Sequence, residues 1–449
     1  MCVNCKILIK LLVISLLGLA ATARATPHIQ QWQAPSGANV LFVENHDLPM
    51  LDVSVSFPAG SGYDTADKAG LASMTQGMLD HGSDGMNEDQ VASRLADIGA
   101  SLGGGVDMDR AVISLRTLSS EKEREAALKI LSSVLQQPQF PEDILAREKS
   151  RLIAALKEAD TKPESIASRA FSSAVYGNHP YGLRTAGEVD TVTKLQRSDL
   201  EAFYRSHYVA KTAIVALMGD ITRAQAEAIA QQLTSRLPAD GASAQLPQVA
   251  PLQAASMQRI AHPATQSHIL IGATGISRSD PDYFTLYVGN YIFGGGGFVS
   301  RLMQEVREKR GMAYNVYSYF MPMMQAGAFQ IGLQTRKDQA DEALEVVNET
   351  LRKFIAQGPT EKELIAAREN IINGFPLRID SNRKILDYLS VIGFYHLPLT
   401  YLDDFSDKVR KVTTAEIRAA FKRKINPDKL ATVIVGAPEE KGAAQGEAK

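Results

Sequence analysis

The chain has 449 residues, 45% of them hydrophobic, a formal net charge of −2 and two cysteines. That length exceeds what one hydrophobic core supports, so two or more domains are expected. The near-neutral balance supplies no basic field for nucleic acid.

At the N-terminus, Lys6 and Lys10 flank the start of an apolar run, Leu11 to Ala21, and Ala23-Arg24-Ala25 follows. This is the pattern of a secretory signal over residues 1–25, cleaved before Thr26 and too short to span a membrane. No second apolar span follows it, so no membrane segment is expected after cleavage. Cys2 and Cys5 both lie in this leader and neither follows a lipobox-like pattern, so the mature chain would carry no disulfide. An exported chain without cysteine fits a bacterial periplasm.

Strand-like runs follow at Asn39 to Val43 and Leu51 to Phe57, then a short helical stretch at Gly70 to Leu79 and a glycine-rich segment, Ala100 to Asp107. That segment reads equally as a sheet edge open to an incoming chain and as a plain hairpin turn. Asp107 and Asp109 invite a calcium reading, but carboxylates beside glycines mark a turn into a strand, and no metal is assigned there. Asp143 to Glu158 is helical. Asp199 to Gly219 then lays without gaps over Glu416 to Gly436, pairing Leu200 with Ile417 and Tyr204 with Phe421, and the same register sets His179 over His396 and Val192 over Val409. This is internal duplication. The first domain is expected over 26–236, a proline- and alanine-rich linker over 237–257, the second domain over 258–440 and a disordered tail over 441–449. Strands at His268 to Gly272 and Ala328 to Leu333 and a helix at Gln339 to Ala356 give the second half the same α+β mixture.

Within that half, Gly294 to Ser318 reads GGGGFVSRLMQEVREKRGMAYNVYS. Gly294, Gly295, Gly296 and Gly297 free the backbone, Val299 to Arg310 reads as a helix with Leu302, Met303 and Val306 inward, Gly311 stops it, and Met312 to Tyr319 alternates as a strand. Arg307 and Tyr314 would then approach each other across one turn. Taken alone, Arg307 reads as part of the solvated charge run QEVREKR and Tyr314 as part of a half-buried strand; the surrounding match is what points to a site. A nucleotide loop is discounted, because the helix-like Asp282 to Phe293 precedes the glycines where a phosphate loop needs a strand.

The glycine segment, SRL, REKRG and AY stand in the order found in bacterial pitrilysin/insulinase-type (M16) zinc peptidases, which this block closely resembles. With VENHDLPMLDVSVSFPAGSGYD and SHYVAKTAIVALMGD in the first half, the resemblance covers nearly the whole mature chain. It implies an α+β fold of two homologous domains of that family, forming a clamshell half. It also implies that Arg307 holds a peptide carbonyl and that Tyr314 hydrogen-bonds the carbonyl oxygen as charge builds. The four glycines could hinge or guide peptide, but they lack the long glycine insertion of the mitochondrial non-catalytic subunit.

The catalytic members of that family carry HxxEH on the helix after a GL segment, two histidines for zinc and a glutamate that activates water. Here Ser73 and Gly77 stand at the histidine positions, Gln76 at the base and Ala155 at the third ligand, seven residues after Glu148. Neither glycine nor alanine offers a ligand atom, and a glutamine amide is no general base near neutral pH. The eight histidines form no HxH, HxxxH or HxxEH pair, so no cofactor is assigned to this chain. In heterodimeric relatives one subunit has HxxEH and the other lacks it. The resemblance therefore implies a zinc-free subunit whose Arg307 and Tyr314 serve a zinc-bearing HxxEH partner, with short or unfolded polypeptides as substrate. A non-enzymatic peptide-binding or assembly protein is the alternative; an autonomous zinc protease contradicts the four vacated positions.

Overall fold

In a computed structural model the described residues are 27–241 and 245–437. The expected leader and the expected tail lie outside them. Among the described residues no helix is long and apolar enough to cross a membrane.

The first sheet is built from β1 (Gln30–Gln33), β2 (Asn39–Glu44), β3 (Met50–Phe57), β6 (Ser101–Val106), β7 (Ala111–Leu118) and β8 (Ile214–Gly219), in the order β1-β2-β8-β3-β7-β6. A small hairpin, β4 (Gly82–Ser83) and β5 (Met86–Asn87), stands apart from it. The second sheet has β9 (Ser256–Ala261), β10 (Gln266–Thr274), β11 (Ala313–Phe320), β12 (Ala328–Arg336) and β13 (Ala431–Ala437), in the order β11-β12-β10-β13-β9. Read from the other edge, the second order repeats the first without β1. β2 pairs with β8 in parallel and β9 with β13 in parallel, while the other pairings are antiparallel. Gly219 and Gly436 close the equivalent strands, both at positive φ (143° and 99°) and both where a Cβ would press on a carbonyl of the neighbouring strand. The duplication seen in one stretch of sequence therefore runs through both halves.

Strands buried on both faces are near-continuous in apolar residues, as β8 is with IVALMG. One face of each sheet is covered by helices of its own half. The other face is covered by a helix from the opposite half. The Pro163–Tyr176 helix lies on β10 and β13, where Ala167, Phe171 and Val175 join Leu270, Val433 and Val435 in one core. In return the Asn382–Phe394 helix lies on β2, β3 and β8, with Ile385, Leu386 and Leu389 against Leu41, Ile214 and Met218. Glycines set how close these helices come. A Cβ on Gly272 would lie 2.9 Å from the Phe171 ring, and one on Gly393 would lie 2.5 Å from Ile214.

A buried carboxylate fastens the same junction. Asp109, at the β6–β7 turn, accepts hydrogen bonds from Tyr181 Oη of its own half, and from Tyr395 Oη (2.7 Å) and Met324 N–H (2.8 Å) of the other. Asp107 stays local, accepting from the N–H groups of Asp109 and Arg110 at 2.8 Å and pairing with the Arg110 side chain at 3.0 Å. The pair holds a turn, and its carboxylates have separate partners. The expected linker is also packed: Leu246 is buried beside Tyr181, and β9 begins at Ser256, inside the expected linker span.

Asp64 begins the first helix of interest. Its carboxylate accepts from Gly70 N–H (2.8 Å) and Ala72 N–H (2.9 Å), satisfying the free donors at the start of Leu71–Gly77. Burial pushes this carboxyl from its usual 3.8 up to about 7, against the opposing pull of those backbone donors. The folded state therefore binds a proton that the unfolded chain has released. The stability this supplies is full below about pH 4 and is lost as pH rises through about 7. Urea midpoints measured across that window should fall with pH, and Asp64→Asn should flatten this part of the profile.

Candidate functional site

The helix that would carry zinc ligands is short and closed on itself. Leu71–Gly77 ends at Gly77, with Leu71, Ala72, Met74 and Thr75 buried. Ser73 Oγ donates to the Thr185 carbonyl (2.7 Å) and Gln76 Nε2 to the Val112 carbonyl (3.4 Å). Gly77 opens on empty space, where a Cβ would meet nothing within 4 Å. Ala155 is an exposed residue of the Glu142–Ala159 helix, and Glu148 on the same helix is held by Arg147 (2.8 Å) and Arg151 (2.9 Å). Among the described residues no group of three or more His, Cys, Asp or Glu could hold a metal ion. The donor set at these four positions is one hydroxyl and one amide, both already engaged with backbone, and it does not fit zinc.

The expected edge is a real sheet edge. β6 ends the first sheet, and Gly104 lies where a Cβ would be 2.1 Å from Val112 O and 2.7 Å from Gln76 Nε2. That glycine lets the Gln76 amide cross to the neighbouring strand.

The tetraglycine has a packing role of its own. A Cβ on Gly294 would lie 2.3 Å from Ser318 Oγ, one on Gly295 2.7 Å from Asn290 Nδ2 and one on Gly296 2.6 Å from Tyr291 O, while Gly297 turns the chain at φ 62°. The expected helix over 299–310 differs in form. Gly297–Val299 is a 3₁₀ turn and Ser300 is extended, so helical winding starts after it; Met303–Glu308 is then a π-helix. The wide turn shows in Lys309 N–H donating to Gln304 O at 3.0 Å. Such turns add a residue to the helix without moving its buried face. Leu302, Met303 and Val306 are buried as expected, and Gly311 ends the segment at φ 63°.

The charge run is divided. Glu305 takes Lys309 (2.6 Å) and Arg310 (2.8 Å), which leaves Arg307 with no ion pair among the described residues. Its guanidinium instead lies between two rings, with Cζ 4.8 Å from the centroid of Phe298 and 4.8 Å from that of Tyr314. Tyr314 is 82% exposed, and it sits in a β-bulge of edge strand β11, between Ala313 opposite Thr335 and Val316 opposite Leu333. The extra residue turns Tyr314 and Asn315 both outward, where regular alternation would bury one of them. The structure thus brings Arg307 and Tyr314 side by side on an open surface, as the spacing predicted. Held over the two rings, the Arg307 guanidinium makes no ion pair among the described residues, and the Tyr314 side chain beside it carries a hydroxyl. Two donors of this kind can hold one carbonyl oxygen.

Phe298 was missed by sequence reasoning. Its signal was an aromatic residue placed in the turn between the glycines and the charge run, and it is 63% exposed.

Residues 39–189 match the insulinase (peptidase family M16) domain, and residues 194–371 match the peptidase M16 inactive domain. The crystal structure of a peptidase M16 inactive domain from Pseudomonas fluorescens superposes with a TM-score of 0.88 at 38% identity, covering 91% of this chain and 98% of that one. A Helicobacter pylori protein named as a non-peptidase homolog, YmxG, is 26% identical over 96% of this chain and 98% of its own. A protease of the same organism has a TM-score of 0.84 at 16% identity, covering 91% of this chain and 100% of that one, a likeness of fold alone. The chain therefore belongs to peptidase family M16, the insulinase family, as an inactive homologue.

Proposed function

We propose that this chain is the zinc-free subunit of a heterodimeric, periplasmic insulinase-family metallopeptidase, and that Arg307 and Tyr314 complete the active site of an HxxEH-bearing partner. One observation carries the reading: Arg307 is withdrawn from its own charge run and stacked beside an exposed Tyr314, while the positions for zinc hold residues that cannot bind it.

Lewis-acid polarisation and hydroxide formation would come from zinc in the partner. This chain's residues bind and orient. The Arg307 N–H groups fix a peptide carbonyl, and Tyr314 Oη–H donates to the carbonyl oxygen as charge builds on it. Substrates are short or unfolded polypeptides, which can lie as an added strand along the open β6 edge. The tetraglycine, whose turn at Gly297 presents Phe298 to Arg307, guides the peptide toward the pair.

A non-enzymatic peptide-binding or assembly role would not need a hydroxyl donor such as Tyr314 held beside Arg307. The test is complementation. The mature chain and an HxxEH homologue from the same cell are assayed apart and mixed, on an unfolded polypeptide. Cleavage is expected from the mixture at a one-to-one optimum. Unchanged activity of the homologue on mixing contradicts the reading.

A further inference from the structure

Two more arginines of the second half lack acidic partners among the described residues, and they line one cleft. Arg278 donates from Nη1 to Tyr283 Oη (3.1 Å) and from Nη2 to Tyr401 Oη (3.3 Å), with Cζ 4.7 Å over the Tyr283 ring. The acids nearest it in sequence, Asp280 and Asp282, are taken by Lys424 (2.5 Å) and Arg423 (2.7 Å). Arg378 lies 5.9 Å over the ring of Tyr287. Both arginines border a cleft of about 400 Å³ whose wall includes Tyr283, Tyr287 and Tyr291, four residues apart along one helical face, with the first two rings stacked at 6.3 Å and 9°. The Tyr287 hydroxyl is buried and faces the Arg378 guanidinium without a well-aligned hydrogen bond. Gly295, of the tetraglycine that leads to Phe298 and Arg307, lines the same cleft.

Tyrosine hydroxyls accept from a guanidinium but do not neutralise it. The half-buried Arg278 guanidinium, lacking a carboxylate, forgoes the pairing that offsets its lost hydration, and the exposed Arg378 adds a second cation at the rim. Its planar fork matches a carboxylate, and the ring faces beside it suit the side chain attached to one. We propose that this cleft binds a carboxylate of the peptide held at Arg307 and Tyr314, the carboxylate lying between Arg278 and Arg378 and the adjoining side chain against the tyrosines. The proposal rests on the peptide-handling reading above and adds a substrate class, peptides that end in, or carry near their end, an acid.

The test is fluorescence anisotropy on the whole mature chain with a labelled peptide of about eight alanines and serines in three forms: free C-terminal acid, C-terminal amide, and amide with a terminal glutamate. A charge-assisted pair of this kind predicts that one or both acidic forms bind about tenfold more tightly than the plain amide. The form that gains identifies the source as the chain terminus or the side chain. In Arg278→Gln/Arg378→Gln the preference should fall to about one while the amide's affinity holds. Arg378→Gln alone, at an exposed position, should reduce the preference about threefold without disturbing the fold. Equal affinities in the native chain, no binding of any form, or a preference that survives both variants overturns the proposal. Arg307→Ala separates the two readings. It should weaken all three forms alike and leave their ratio intact, so failure at Arg307 appears in the affinities and failure of the cleft in the ratio.

Discussion

In the assembled pair, Arg307→Ala and Tyr314→Phe should each lower kcat/KM by about 10²- to 10³-fold, the range found when one preorganised donor to a developing oxyanion is removed. Neither should change the thermal midpoint of this chain measurably, because Tyr314 is 82% exposed and Arg307 forms no ion pair among the described residues. Phe298→Ala should have a smaller effect, about three- to fivefold, from the loss of one of two rings that hold the guanidinium. Arg307→Lys is not conservative here, since an ammonium lacks the planar fork of donors that a guanidinium presents beside the two rings. Steady-state kinetics of the reconstituted pair distinguish these outcomes from misfolding, which would lower pair formation instead.

Phe171→Ala should destabilise the chain by about 3–5 kcal/mol, the cost of emptying a large aromatic site in a packed core. The consequence reaches beyond that site. Phe171 belongs to a helix of the first half but packs on the sheet of the second, 2.9 Å from where a Cβ on Gly272 would stand. The single tryptophan, Trp32, is in β1 of the first sheet, stacked 3.7 Å under Arg223. If the exchanged helices couple the halves, Trp32 fluorescence and far-ultraviolet circular dichroism should shift together to lower urea in the variant, as one transition. A Trp32 midpoint that stays in place while the dichroism splits in two would show halves that unfold independently.

Much of the fold was legible because buried strands and amphipathic helices write their period directly into sequence. β2, β3, β10 and β12 and the Glu142–Ala159 and Ala340–Gln357 helices fall within a few residues of their expected spans. The duplication was legible from one aligned stretch, since both copies need the same apolar face and the same closing glycine. The exchange of helices was not. The sequence of Asn382–Phe394 says that Ile385, Leu389 and Ile392 are buried, but the same stripe would suit either sheet. The π-helix at Met303–Glu308 was also hidden, because one extra residue in a turn leaves the apolar positions almost unchanged. At the candidate site, the family resemblance pointed to Ser73, Gln76, Gly77 and Ala155 as the zinc positions, and spacing pointed to the approach of Arg307 to Tyr314, which the structure shows. Phe298 and the bulge at Tyr314 escaped, as both depend on backbone geometry that period-two and period-3.6 patterns do not encode. The cleft at Arg278 and Arg378 joins residues a hundred positions apart, beyond the reach of any local motif.

The most direct measurement is metal content alongside peptide cleavage, for the chain from Thr26 alone and for its mixture with an HxxEH homologue. The expected result is no zinc and no cleavage from the chain alone, and one zinc per pair with cleavage abolished by EDTA. Stoichiometric zinc and EDTA-sensitive cleavage in the chain by itself would contradict it.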